Sequence, residues 1–102
     1  MTNANNFYNN VSAVNWFDSE GKLHIRVYAS NGNRVTERCS DQGNSGWTTG
    51  AFSQPGDLSA ATAWTTSAGV SIRVYVINGG AITEWCADPS QSGWYKGAYT
   101  SS

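Results

Sequence analysis

The 102-residue chain is short of charge, and neither sign dominates what charge there is. Asp, Glu, Lys and Arg together make 13% of it, with six Lys+Arg against seven Asp+Glu and a net charge of -1. So few charges argue against long charged helices and a disordered polyampholyte. A protein held to phosphates by counterion release needs a basic face, and six scattered cations do not build one. No apolar run approaches the ~18 residues needed to cross a bilayer. The first ten residues are Asn-rich and polar, without the cationic start and apolar stretch of a secretory signal. A soluble protein is expected, cytoplasmic or exported by a non-classical route. There is one histidine and there are two cysteines, Cys39 and Cys86. They occupy equivalent points of a repeat, so they should lie apart. A bridge needs Cα atoms within about 7 Å. Each reads as a small buried hydrophobe. Without a His cluster, they form no metal site, and no cofactor is implied.

What is abundant is Gly (11), Trp (5) and Tyr (5). This composition suits short strands joined by tight turns. A shift of 47 residues superimposes Ile25-Arg26-Val27-Tyr28 on Ile72-Arg73-Val74-Tyr75. It also superimposes Asn31-Gly32 on Asn78-Gly79, Thr36-Glu37 on Thr83-Glu84, and Ser45-Gly46-Trp47 on Ser92-Gly93-Trp94. Across positions 25–52 there are 15 identities in 28. Upstream the offset becomes 48, where Trp16 meets Trp64, so one residue is gained or lost before the second strand. Each copy reads as four strands: 12–17, 23–29, 34–39 and 46–52, then 60–65, 70–77, 81–86 and 93–99. Four strands in a unit of this length is the size of a β-propeller blade. The expected organisation is a polar extension 1–10, blade 1 over 11–52, a linker 53–58 and blade 2 over 59–102. Two blades do not close a ring, since propellers have typically four to eight, so the economical solution is a homo-oligomer. Geometry alone leaves four, six or eight blades open.

Read as a two-residue hairpin turn, Asn31-Gly32 puts Arg26 directly opposite Glu37, and Asn78-Gly79 puts Arg73 opposite Glu84. In either copy both residues point to one face. Opposite charges across strands are a common stabilising pair, worth about 0.2–1 kcal/mol. They also set a donor fork beside an acceptor pair, which suits the hydroxyls of a sugar. Trp16 and Trp64, within strands, read as core. Trp47 and Trp94 follow Ser-Gly after an irregular loop and suit a rim-exposed ring that stacks on a ligand. Trp85 has no aromatic counterpart, because Arg38 takes its place. It reads as packing, opposite Ile72.

The repeated combination Ile-Arg-Val-Tyr, Thr-Glu-Arg-Cys or Thr-Glu-Trp-Cys, Gly-Trp, and Gly-Ala-Phe or Gly-Ala-Tyr resembles the fucose-binding lectins typified by the Aleuria aurantia lectin. Among these it is most similar to the short two-blade bacterial members such as the Ralstonia solanacearum lectin. The resemblance implies an all-β homotrimer that closes a six-bladed propeller, with fucose held between adjacent blades within a chain and across the chain boundary. By that resemblance Arg26 and Glu37 grip one sugar, the backbone at Gly50-Ala51 approaches it, and Val70, Ile72 and Trp94 of the next blade close the pocket. A second pocket uses Arg73, Glu84, Gly97 and Ala98, with Leu23, Ile25 and Trp47 of a neighbouring chain as its other wall. Fucose carries a methyl at C6, and burying an apolar patch is worth roughly 25 cal/mol per Å². One departure is clear. Where the family has an aromatic after the cysteine, this chain has Ser40 and Ala87. The loops that follow, 40–45 and 87–92, are longer. Losing a ring contact costs about 0.5–1.5 kcal/mol beyond its area.

Two other classes compete. A glycosidase needs two carboxylates about 5–9.5 Å apart, but Glu37 and Glu84 sit on different repeats, Asp41 and Asp88 in separate loops. His24 is a lone strand histidine, with Ser71 in its place in the other copy, and no nucleophile–base set is visible. A propeller-type scaffold for a protein partner would use Trp47 and Trp94 as anchors. A site built twice per chain suits a small repeated ligand better, with avidity on a glycan surface.

Overall fold

The computed structural model describes residues 7–101. It contains eight strands: β1 (Asn10–Phe17), β2 (Leu23–Ser30), β3 (Arg34–Asp41), β4 (Thr48–Pro55), β5 (Leu58–Thr66), β6 (Gly69–Asn78), β7 (Ala81–Ala87) and β8 (Tyr95–Lys96). They form two four-stranded antiparallel sheets, β1-β2-β3-β4 and β5-β6-β7-β8, and no helix occurs among the described residues. None can therefore be long and apolar enough to cross a membrane. The all-β, two-sheet architecture expected from the repeat is present. Between the sheets, β4 runs to Pro55 and β5 starts at Leu58, leaving only Gly56 and Asp57 outside a strand. Of the polar N-terminal stretch, residues 1–6 lie outside the described residues, Phe7 and Tyr8 are exposed, and Asn10 opens β1. The last strands are shorter or later than the alternation suggests. β4 starts at Thr48, and β8 is two residues long.

Register explains the two offsets of the repeat. Trp16 pairs with His24 and Trp64 with Ser71. The extra residue lies in the β1–β2 turn, which spans five residues between the pair Phe17↔Leu23, against four between Thr65↔Val70.

The hairpins correct the expected pairing. Arg26 stands opposite Cys39 and Glu37 opposite Tyr28. In the second copy Arg73 stands opposite Cys86, Glu84 opposite Tyr75 and Trp85 opposite Val74, not Ile72. The cause is turn chemistry. In the second hairpin Gly79 and Gly80 both take positive φ, 62° and 87°, and form the two-residue turn between Asn78 and Ala81. Glycine tolerates these angles better than asparagine. In the first hairpin Asn33 replaces Gly80 and keeps negative φ. The loop widens to 31–34, with Asn31 Oδ1 accepting the Asn33 and Arg34 amides at 3.0 Å each. The slip is two residues, so every side chain keeps its face.

The core lies where the second sheet covers the first. Tyr28, Val35 and Phe52 of the first sheet meet Ile72, Val74 and Val76 of the second, with Trp85 and Trp94 packed against them. β1 and β5 run side by side, joined by Ser12 Oγ to Ser59 Oγ at 3.0 Å and by Asn10 Oδ1, which accepts the Ser59 amide at 2.7 Å. Gly56 allows the crossing: a Cβ there would stand 2.1 Å from Val76 Cγ1. Cys39 and Cys86 are buried and unbridged, one in each sheet.

Candidate functional site

Alternation along β2 puts Arg26 and Tyr28 on one face, and Glu37 joins them from β3. Glu37 is 4% exposed. A buried carboxylate needs donors for its lone pairs, and it has them. Tyr28 Oη donates to Oε2 at 2.7 Å, and the Phe52 amide donates to Oε1 at 3.2 Å. The second donor exists because β4 bulges. Between the pairs Thr36↔Ser53 and Arg38↔Thr49, residues Gly50, Ala51 and Phe52 stand against Glu37 alone. A Cβ on Gly50 would lie 2.0 Å from Glu37 Oε1, so only glycine fits. Glu84 repeats the set. It accepts Tyr75 Oη at 2.8 Å and the Tyr99 amide at 3.1 Å, and a Cβ on Gly97 would lie 2.1 Å from its Oε1. Ala51 and Ala98 are exposed beside these glutamates.

Each arginine is held by three contacts. Arg26 Nη1 donates to Asp41 Oδ1 at 2.9 Å and to the Ile25 carbonyl at 3.0 Å, and the guanidinium lies 4.9 Å from the Trp16 ring centre. Arg73 makes the equivalent contacts to Asp88 Oδ1 at 3.0 Å, the Ile72 carbonyl at 3.0 Å and the Trp64 ring at 4.9 Å. Its Nε is 4.0 Å from Glu84 Oε2. Thus the close ion partners are Asp41 and Asp88, Glu84 adds a longer ion pair to Arg73, and the glutamates take their hydrogen bonds from tyrosines and backbone. Asp41 closes β3 and does not sit in a loop. Both rings are platforms for arginine, but Trp16 also packs against the core as expected, whereas Trp64 does not belong to it. Trp64 is 44% exposed and Trp16 half-buried.

The acids are tuned accordingly. Burial pushes Asp41 up, but hydrogen bonds from His24 and Arg26 outweigh it and hold the carboxyl below its ordinary value. Asp88 is pulled down to about 2, chiefly by the Tyr95 hydroxyl, then by Arg73 and Ser71. The Tyr28 hydroxyl is pushed far up by burial and by the Glu37 charge.

The second sheet adds an apolar wall. Ile72 is buried against the first sheet and Val70 half-buried. Trp94, half-buried, meets Phe52 edge-on at 4.8 Å and Tyr28 at 6.1 Å. It is a seam residue and not a rim ring. Val70 also lines a cleft of about 410 Å³ between the β1–β2 and β5–β6 turns, with Trp16 and Phe17 on its other side. Within the chain, Tyr28 and Phe52, the donors to Glu37, meet Trp94, Ile72 packs in the same core, and Trp16, which carries Arg26, faces Val70 across the cleft. The second set does not assemble within one chain. Arg73 and Glu84 lie on the second sheet with Gly97 and Ala98 just after β8, while Leu23 and Ile25 alternate with the seam-facing residues of β2 and Trp47 stands exposed just before β4. Sequence reasoning missed Asp41 and Asp88 as arginine partners and Tyr28 and Tyr75 as glutamate donors. The signal was present. Tyr stands two residues after Arg, on its face, in both copies.

The two-sheet frame thus builds the same arginine–glutamate set twice. The chain matches the fungal fucose-specific lectin family over residues 3–101 and belongs to that family. The family is one of lectins, which bind carbohydrate without transforming it. Among solved structures it is similar to a fucose lectin from Kordia zhangzhouensis in complex with methyl-fucoside. The two are 39% identical, with a TM-score of 0.75, over 88% of this chain and 64% of that one. The present chain thus spans less than two-thirds of that lectin's length. No curated protein matches.

Proposed function

We propose that the protein binds L-fucose and fucosylated glycans at the seams between adjacent sheets, both within a chain and between chains of a ring. The observation that carries this is the duplication of one complete set. Each copy has an arginine fixed by an aspartate and a tryptophan, and a glutamate filled by a tyrosine and a backbone amide behind a glycine bulge. Arg and Glu present donors and acceptors to the polar edge of the sugar. Val70, Ile72 and Trp94 offer its methyl group an apolar wall.

The uncovered faces support the ring. The first sheet's Phe52 is 1% exposed under the second sheet, whereas its counterpart Tyr99 is 45% exposed. Likewise Trp94 is half-buried at the seam, while its counterpart Trp47 is 47% exposed. The free face of one sheet therefore matches the covered face of the other. Such head-to-tail complementarity generates rings when the rotation closes. Three chains of 11.0 kDa would give a six-bladed ring of about 33 kDa, within the usual blade range. Leu23, Ile25 and Trp47 would then complete the pocket of Arg73, Glu84, Gly97 and Ala98 across each boundary.

A glycan array tests the sugar and light scattering tests the ring. Binding confined to fucosylated glycans is expected, at a mass of about 33 kDa. Binding only to fucose-free glycans would overturn the reading.

A further inference from the structure

The two arginines are buttressed by different chemistry. Asp41 Oδ1, which takes Arg26, also takes His24 Nδ1 at 2.5 Å. The other ring nitrogen of His24 lies 2.9 Å from Asp18 Oδ2. Asp18 is pinned through its other oxygen, which accepts the Glu20 and Lys22 amides at 2.8 and 3.0 Å. The imidazole stacks on Trp16 at 5.2 Å, the same ring that carries Arg26. The charged groups around His24 are thus Asp18 from the β1–β2 turn, Asp41 from β3 and Arg26 along β2. Glu20 and Lys22 on the turn pair with each other at 3.5 Å.

Donating to two carboxylates requires both ring nitrogens to carry protons, so this geometry holds imidazolium. Both bonds also raise the His24 pKa above its ordinary value. In the second copy Ser71 replaces His24 and Thr66 replaces Asp18. There Ser71, which does not titrate, and the Tyr95 hydroxyl, where the first copy has Thr48, both donate to Asp88 beside Arg73.

We infer that His24, acting through Asp41, positions Arg26, while Tyr95, acting through Asp88, positions Arg73, so that the two fucose pockets differ in their pH response around neutrality. The inference rests on the fucose reading and adds a regulation to it. A neutral imidazole donates from one nitrogen only. On losing its proton His24 sets a lone pair against a carboxylate, and the chain His24–Asp41–Arg26 loosens. The pocket of Arg26 weakens as pH rises. The pocket of Arg73 does not, because the Tyr95 hydroxyl, pushed up to about 12 by Asp88, stays protonated.

His24 is the chain's only histidine, so its imidazole protons can be titrated by NMR without assignment. Linkage is reciprocal. If deprotonation lowers affinity about threefold, saturating methyl fucoside raises the His24 midpoint by about half a pH unit. Calorimetry from about pH 6 to about pH 9 should show the matching loss in the wild type and in Arg73→Ala, and none in His24→Gln. Binding with an unmoved His24 midpoint overturns the inference and leaves the fucose reading standing. Absence of methyl fucoside binding at every pH removes both.

Discussion

The Tyr28 hydroxyl donates to Glu37 Oε2 at 2.7 Å from directly across the β2–β3 ladder, and Tyr75 does the same to Glu84 at 2.8 Å. A buried carboxylate has to be satisfied within the protein itself. Tyrosine supplies that bond from the residue facing it. Tyr28→Phe should cost about 1.5–3 kcal/mol, the range for a hydrogen bond to a charged group. Tyr75→Phe should cost less in a separated chain, where Tyr75 is half-buried, and as much once a neighbouring chain covers that face. Urea unfolding midpoints of the two variants check both. A Tyr28→Phe midpoint equal to that of the wild type would mean that this bond adds nothing to stability.

Gly50 and Gly97 are tested by a single added methyl. Alanine at either position drives Cβ into the glutamate carboxylate. Gly50→Ala should displace Glu37 and remove the pocket of Arg26, and Gly97→Ala should remove the pocket of Arg73. Each variant should then titrate with half the wild-type number of methyl fucoside sites. Unchanged stoichiometry would place the glutamates outside the binding set.

Stability should depend on pH through His24. Its folded pKa is raised above 6.5, first by Asp18 and then by Asp41. The stabilisation is therefore fully present below about pH 6.5 and is lost as pH rises through the folded value. Asp18 works in the opposite sense. Held down to about 2 chiefly by His24, it stabilises above about pH 3.9 and ceases to as pH falls toward 2. Thermal midpoints of wild type and His24→Gln should be furthest apart between these limits and converge at alkaline pH. A constant gap would mean that the imidazole contributes shape and not charge.

Ile82 on the free face of the second sheet corresponds to the fully buried Val35 of the first. Ile82→Asp puts a charge where a neighbouring chain would cover it, and leaving a charge buried and unpaired costs several kcal/mol. Light scattering should find the variant as a folded monomer of about 11 kDa, the mass of one chain. A variant that stays assembled would show that this face is not the one covered.

The duplicated frame was legible because a repeat superimposes much at once: strand order, the place of each hairpin, and an arginine and a glutamate on one face of it. Even the one-residue offset located itself correctly in the β1–β2 turn. What the sequence concealed was local. Asn-Gly is the favoured hairpin pair, yet Gly79-Gly80 out-competes Asn78-Gly79 because neither of its residues carries a Cβ. Asn33, where the other copy has Gly80, widened the first loop. That two-residue slip moved each glutamate from its arginine to its tyrosine without changing faces. His24 read as a lone histidine because Asp18 and Asp41, six residues before it and seventeen after, meet it only once three strands have paired. Trp64 read as core, but the arginine that covers it leaves one side in solvent.

A closed ring would carry one pocket at every seam, including seams between chains. Calorimetric titration of the wild-type protein with methyl fucoside measures this directly. Two sugars per chain are expected. One sugar per chain would mean that only the seam inside the chain binds, and would contradict a closed ring of equivalent pockets.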